Sequence, residues 1–120
     1  MKKILVAQGD PAGLDLVWEV LSANGYDVVL VRDGRAALLT VGDIRPDLVI
    51  LDTQMQFFDG IAVVREIRRN PRFRNLPLVA LTADAMRGDR ERALEAGFDA
   101  YIPKPFNIWA LPDQVERLLR

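Results

Sequence analysis

The sequence predicts an α/β domain of the (βα)5 kind, a five-stranded parallel sheet with helices on both faces. Short apolar runs rich in Val, Ile and Leu alternate five times with segments whose apolar residues recur at helical spacing. Runs that are apolar on both faces belong in a parallel sheet covered on either side. The punctuation agrees: Asn24-Gly25 closes the first helical stripe, Arg45-Pro46-Asp47 leads into the third run, and Leu76-Pro77 leads into the fourth.

Taken in order, the first run is Ile4 to Ala7, followed by a stripe of Leu14, Val17, Trp18 and Leu21, all four expected in the core. The second run is Val28 to Val31. The third, Leu48 to Leu51, ends on Asp52, and the fourth, Leu78 to Leu81, ends on Thr82. The charge-rich stretch Arg87 to Glu95 reads as the solvated face of a fourth helix, with a polar rim to an interface as the alternative. The fifth run, Ala100 to Ile102, leads to Lys104. A last stripe of Ile108, Leu111, Val115 and Leu118 follows, with Asn107 as its N-cap. Pro112 then falls near the end of the first turn, where its ring would press on the carbonyl of Ile108 and kink or delay the helix. Trp109 stands off this stripe, so it is either an exposed binding anchor or packed against a neighbouring helix.

Composition removes many functions. A chain of 120 residues, half of them hydrophobic, is expected to make one domain with a single core, spanning residues 1–120, with no output domain after it. There is no Cys and no His, which excludes disulfides, thiolate metal sites and imidazole catalysis. A net charge of -1, from 16 basic and 17 acidic residues, gives no broad attraction to nucleic acid or to anionic membranes. The apolar run after Met1-Lys2-Lys3 is too short for a signal peptide or a membrane span, so a cytoplasmic location is expected. Gly9 and Gly13 complete no dinucleotide fingerprint and no Walker lysine follows them.

In an open α/β sheet the ligand site lies outside the carboxyl ends of the strands. The residues there are Ala7 to Asp10, Asp52 to Gln54, Thr82 to Asp84 and Lys104. Over its full length the chain resembles a response-regulator receiver domain. The resemblance rests on Pro46-Asp47-Leu48-Val49-Ile50-Leu51-Asp52, Asp59-Gly60, Ala80-Leu81-Thr82-Ala83, Gly88-Asp89-Arg90, Ala96-Gly97, Tyr101 and Lys104-Pro105-Phe106. Each stretch is weak alone, but their order and spacing together are specific.

The resemblance implies the flavodoxin-like strand order 2-1-3-4-5. It implies that Asp52 accepts a phosphoryl group from a histidine kinase or phosphotransfer protein, that Thr82 hydrogen-bonds that group and that Lys104 pairs with it. Carboxylate, hydroxyl and ammonium are suited to those roles as nucleophile and charge stabilisers. A cis bond before Pro105 would aim Lys104, and Tyr101 would turn inward as Thr82 moves. The domain would be a signalling phosphoacceptor and not an enzyme, beyond self-catalysed phosphoryl transfer. A homodimer through the face between the fourth and fifth helices is a further expectation from the family.

The sequence departs from the family at the metal clamp. Family members hold Mg2+ with an acidic pair after the first strand, the acceptor Asp and a backbone carbonyl, here that of Gln54. The acidic pair aligns with Gln8 and Gly9, a neutral amide and no side chain. Mg2+ prefers carboxylates in near-octahedral geometry, so no cofactor, or weakly bound Mg2+, is expected. Asp10 reads first as an N-cap, because Pro11 follows at the first helical position, and second as a substitute ligand. Without metal, Lys104 would lie against Asp52 as an ion pair. The loop Thr53 to Gly60 also departs, with Gln56 for the usual Pro and Phe57 for a frequent Gly. Phe58 is expected to fill an apolar site, and Phe57 to face a partner along with Trp109.

Two functions of different class follow. One is a stand-alone atypical receiver, a pseudo-receiver working through protein–protein contacts with a downstream signalling protein. The other is a functional phosphoacceptor on Asp52. A fragment of a larger regulator or hybrid kinase is a third origin for the chain.

Overall fold

The single core expected from composition is divided in two, because side chains alternate across a strand and in a sheet covered on both faces each strand feeds two cores. That division is visible along the strands of the computed structural model, which describes residues 1–9, 11–53, 60–82, 89–103 and 107–119. Strands β1 (Lys3–Ala7), β2 (Asp27–Val31), β3 (Leu48–Asp52), β4 (Leu78–Thr82) and β5 (Ala100–Pro103) alternate with helices α1 (Pro11–Ala23), α2 (Gly34–Ile44), α3 (Gly60–Arg69), α4 (Asp89–Ala96) and α5 (Leu111–Leu119). All strand pairs are parallel and the order is β2-β1-β3-β4-β5. Each strand matches its expected apolar run to within a residue at either end.

One core gathers Leu5, Val49, Leu51, Leu78 and Ala80 from the strands with Val41 of α2, Val63 and Ile67 of α3 and Ala93 of α4. The other gathers Ile4, Val6, Leu48, Ile50, Val79 and Leu81 with Val17 and Leu21 of α1 and Leu111 and Val115 of α5. Helices α1 and α5 therefore cover one face, and α2, α3 and α4 the other. Among the described residues no helix is long and apolar enough to cross a membrane.

The turns are set by local chemistry. Asp33 caps α2 by accepting a hydrogen bond from the Ala36 N–H at 2.8 Å. Arg45 ends α2 in the left-handed region at φ 49°, its N–H bonded to Val41 O. At the other end of the chain, Asn107 caps a 3-10 turn over Ile108–Ala110, accepting from the Trp109 N–H at 3.0 Å. The α-helix begins only at Leu111, so the expected delay at Pro112 is present. Pro112 lies at the second residue of α5, where a missing N–H leaves no intrahelical bond broken.

Trp18 corrects the sequence reading. It is 46% exposed, whereas Val17 and Leu21 beside it are buried. Val17 and Leu21 are four residues apart and share the centre of the stripe, and Trp18 falls about 100° round the helix from Val17, on the flank. The expected solvated face of α4 is as anticipated, with Arg90, Glu91, Arg92 and Glu95 exposed around a buried Ala93.

Candidate functional site

The carboxyl edge of the sheet is where the strand register brings the chemical residues together. Ala7 of β1 pairs with Leu51 of β3, so Gln8 follows one step on, level with Asp52. Asp52 pairs with Leu81 of β4, which puts Thr82 one residue beyond it, and Thr82 pairs with Pro103, the residue before Lys104. Backbone bonds extend this order past the strands: Gln8 N–H donates to Val31 O at 3.2 Å and Thr53 N–H to Leu81 O at 2.9 Å.

Two polar side chains are buried among the described residues, and both are here. Gln8 is 4% exposed and Asp52 6%. Burying a polar group is costly unless it is paired. The Gln8 side-chain oxygen, Oε1, is buried with no hydrogen-bond partner. Sequence reasoning had singled out Gln8 for its missing charge. Its burial with an open acceptor is new information, which required the depth of the β1 terminus beneath its neighbours.

Gly9, by contrast, is exposed, and a Cβ built on it would meet nothing within 4 Å. Among the described residues, no three Asp, Glu, His or Cys side chains lie close enough together to hold a metal ion. Asp10, Gln54, Gln56, Phe57, Phe58, Lys104 and Pro105 lie outside the described residues, as does the side chain of Thr82.

The segment after Asp52 is anchored where it re-enters at α3. Gly60 N–H donates to Thr53 O at 3.1 Å, and Gly60 itself is buried against the end of β3. Tyr101, in β5 opposite Ala80, is half-buried against the core beneath α2, α3 and α4. Trp109 is 78% exposed on its 3-10 turn, which resolves its two readings in favour of exposure. Its side chain stands out because Asn107 holds the turn in a conformation where Ile108 faces the α1–α5 core and its neighbour does not.

A second polar centre, absent from the sequence reading, lies at the opposite, amino-terminal edge of the sheet. Arg68 of α3 donates to the carbonyls of Phe73, Leu76 and Gly97 at 2.8, 2.8 and 2.9 Å and pairs with Asp99 at 2.8 Å. Asp99 Oδ2 also accepts from the Leu78 N–H. One guanidinium therefore ties the end of α3 to the entries of both β4 and β5. An arginine in the last turn of a helix is common enough that nothing in the sequence marked it.

The model of the response regulator receiver domain matches residues 4–116. This chain belongs to the response regulator receiver domain family. Receiver domains are signalling domains of two-component systems that interact with histidine kinases and downstream proteins. Among curated relatives, the receiver is 41% identical over 118 residues to the response regulator MprA of Mycolicibacterium vanbaalenii, covering 98% of this chain and 50% of MprA. It thus spans about half the length of that relative. It is 32% identical over 107 residues to the polar-differentiation response regulator DivK of Brucella anthropi, covering 89% of this chain and 87% of DivK. Among solved structures, it superposes with a TM-score of 0.90 and 35% identity on the receiver domain of a sensor histidine kinase from Pseudomonas aeruginosa, covering 98% and 97% of the two chains. That crystal structure has a magnesium ion coordinated in its active-site cleft.

Proposed function

We propose that this receiver is atypical, acting mainly through protein–protein contacts with Mg2+-dependent phosphorylation of Asp52 impaired. The observation that carries this reading is the composition of the β1 terminus beside Asp52. Gln8 brings a neutral amide oxygen, and Gly9 brings no side chain although the space around it would admit one. Phosphoryl transfer depends on positioning and charge neutralisation, and Mg2+ supplies much of the latter. Mg2+ takes up carboxylates and waters in near-octahedral geometry. With Asp52 as the carboxylate that the described residues offer at this end, the donor set does not fit the ion.

In this reading Asp52, Thr82 and Lys104 hold the pocket in one arrangement, and recognition passes to exposed groups. Trp109 is the anchor the structure offers, since a largely exposed Trp is an apolar area awaiting a partner. Phe57 would join it. The partners would be a histidine kinase or phosphotransfer protein and a downstream signalling protein, in the cytoplasm, with no direct contact to nucleic acid or membrane. A homodimer through the α4–α5 face belongs to the same reading.

A second reading, a working phosphoacceptor on Asp52, is favoured by the same Gln8 Oε1. An open, buried acceptor level with Asp52 is a place for a weakly bound cation or its water. Intact-mass measurement after incubation with a histidine kinase at ordinary Mg2+ separates the two. The atypical receiver stays at its unmodified mass, and stoichiometric addition of one phosphoryl group, lost in Asp52→Asn, would establish the phosphoacceptor instead.

A further inference from the structure

The amino-terminal edge of the sheet, opposite Asp52, carries a cleft of about 520 Å³ between the β3 entry and the turns before β4. The cleft is shallow and open to solvent, with a volume inside the range of small-molecule sites, about 300–1,000 Å³. Its walls combine two cations with a rigid flat surface. Arg45 and Arg72 supply the charge, and Phe73 with the rings of Pro46, Pro71 and Pro77 supplies the surface. The Arg72 guanidinium stands 5.8 Å from the centroid of the Phe73 ring.

Among the described residues neither arginine is neutralised by an ion pair. The ion pairs among the described residues are Arg68–Asp99 and Arg69–Glu66, and neither uses Arg45 or Arg72. Asp47 lines the same cleft, its Oδ2 accepting the Lys3 N–H at 2.7 Å, so two arginines stand against one carboxylate and the cleft keeps a net positive charge. The Lys3 ammonium reaches Ile44 O at 3.4 Å, so the carbonyl end of α2 already has a cation and does not require Arg45 for that purpose. Arg45 is moreover the non-glycine residue with positive φ among those described. Glycine is the residue that position favours, so Arg45 holds its side chain at the cleft against a backbone cost.

We propose that this cleft binds a small anion bearing a flat ring, of the nucleoside monophosphate class. The phosphate would be held by Arg45 and Arg72, the ring would lie against the proline wall and the edge of Phe73, and Asn75 would orient it. Arginine forks suit phosphate oxygens, and proline walls lose little freedom on binding.

The test is an amide-resolved NMR titration of the whole chain with AMP, adenosine and inorganic phosphate in separate series, repeated on Arg72→Ala and Arg45→Gly. AMP is expected to give saturable shifts at Arg45, Asp47, Arg72, Phe73 and Asn75, tighter than either component alone. Each variant should weaken AMP by about tenfold, the loss of one charge-assisted contact. Arg45→Gly should at the same time melt at a higher temperature, because it relieves the positive φ, so that weaker binding cannot be ascribed to a damaged fold. Absence of saturation with AMP, shifts centred elsewhere, phosphate alone matching AMP, or unchanged affinity in Arg45→Gly would each overturn the proposal.

Discussion

A side-chain carbon on Gly60 would lie 2.6 Å from the carbonyl oxygen of Asp52 and 2.7 Å from the Cα of Thr53. Both are backbone atoms, so neither can rotate away. The first residue of α3 is thus pressed onto the end of β3, and the missing side chain at Gly60 is what lets the helix start there. Gly60→Ala is expected to destabilise the fold by about 2–3 kcal/mol, the scale of overpacking a close-packed site. It should also displace Asp52. Urea unfolding measures the first effect, and the amide shifts of Asp52 and Thr53 the second.

Restoring charge at the β1 terminus tests whether chemistry or space limits metal binding. The open surroundings of Gly9 admit a longer side chain, whereas Gln8 is already buried at the level of Asp52. The double variant Gln8→Asp, Gly9→Asp should gain Mg2+ affinity of at least about tenfold, measured by calorimetry. In the absence of Mg2+ it should be less stable than the parent, because carboxylates crowded together repel one another. Added Mg2+ should restore the loss.

Arg68 holds four backbone carbonyls, those of Phe73, Arg74, Leu76 and Gly97, that would otherwise be left without that donor, together with Asp99. Arg68→Ala is expected to cost about 3 kcal/mol, mostly through those carbonyls and less through the half-exposed ion pair. Asp99→Asn should cost less than Arg68→Ala. Gly97 adds a steric check, since a Cβ there would fall 2.8 Å from Arg68 Cγ at a backbone φ of 128°. Gly97→Ala should therefore destabilise as well, and less than additively with Arg68→Ala, a double-mutant cycle that unfolding curves resolve.

The Tyr26 phenol is pushed above its ordinary range, first by burial and then by the carboxylates of Glu116 and Asp113. A group whose folded pKa is raised holds its proton more tightly in the folded state. Its stabilising contribution is complete below the unfolded value and is lost as pH rises through the folded one. Stability should accordingly fall on going into the alkaline phenol range. Tyr26→Phe removes that component, and Glu116→Gln lowers the phenol titration followed by ultraviolet absorbance.

The fold was legible because strands and helices here obey their periodicities. Leu48 to Leu51 is apolar on both faces because both faces are covered, and Arg45-Pro46-Asp47 ends a helix because Pro46 cannot extend one. Trp18 was misplaced because a stripe predicts direction and not depth. A ring on the flank reaches solvent even when its neighbours do not. At the candidate site, residue type showed that Gln8 and Gly9 lack charge, but not that Gln8 is buried with an open oxygen. The Arg68 centre was illegible because its partners are mostly backbone carbonyls, which carry no residue-type signature. The cleft at Arg45 and Arg72 joins two turns 27 positions apart, a proximity set by the β1–β3–β4 register.

The central claim concerns the metal, and an amide-resolved NMR titration with Mg2+, followed by beryllofluoride as a phosphoryl mimic, tests it most directly. The atypical receiver gives no saturable shifts at Gln8, Gly9 or Asp52 at millimolar Mg2+ and no response to beryllofluoride. Saturable shifts at those residues, spreading to Tyr101 and Trp109 when beryllofluoride is added, would contradict it and make this chain a working phosphorylation switch.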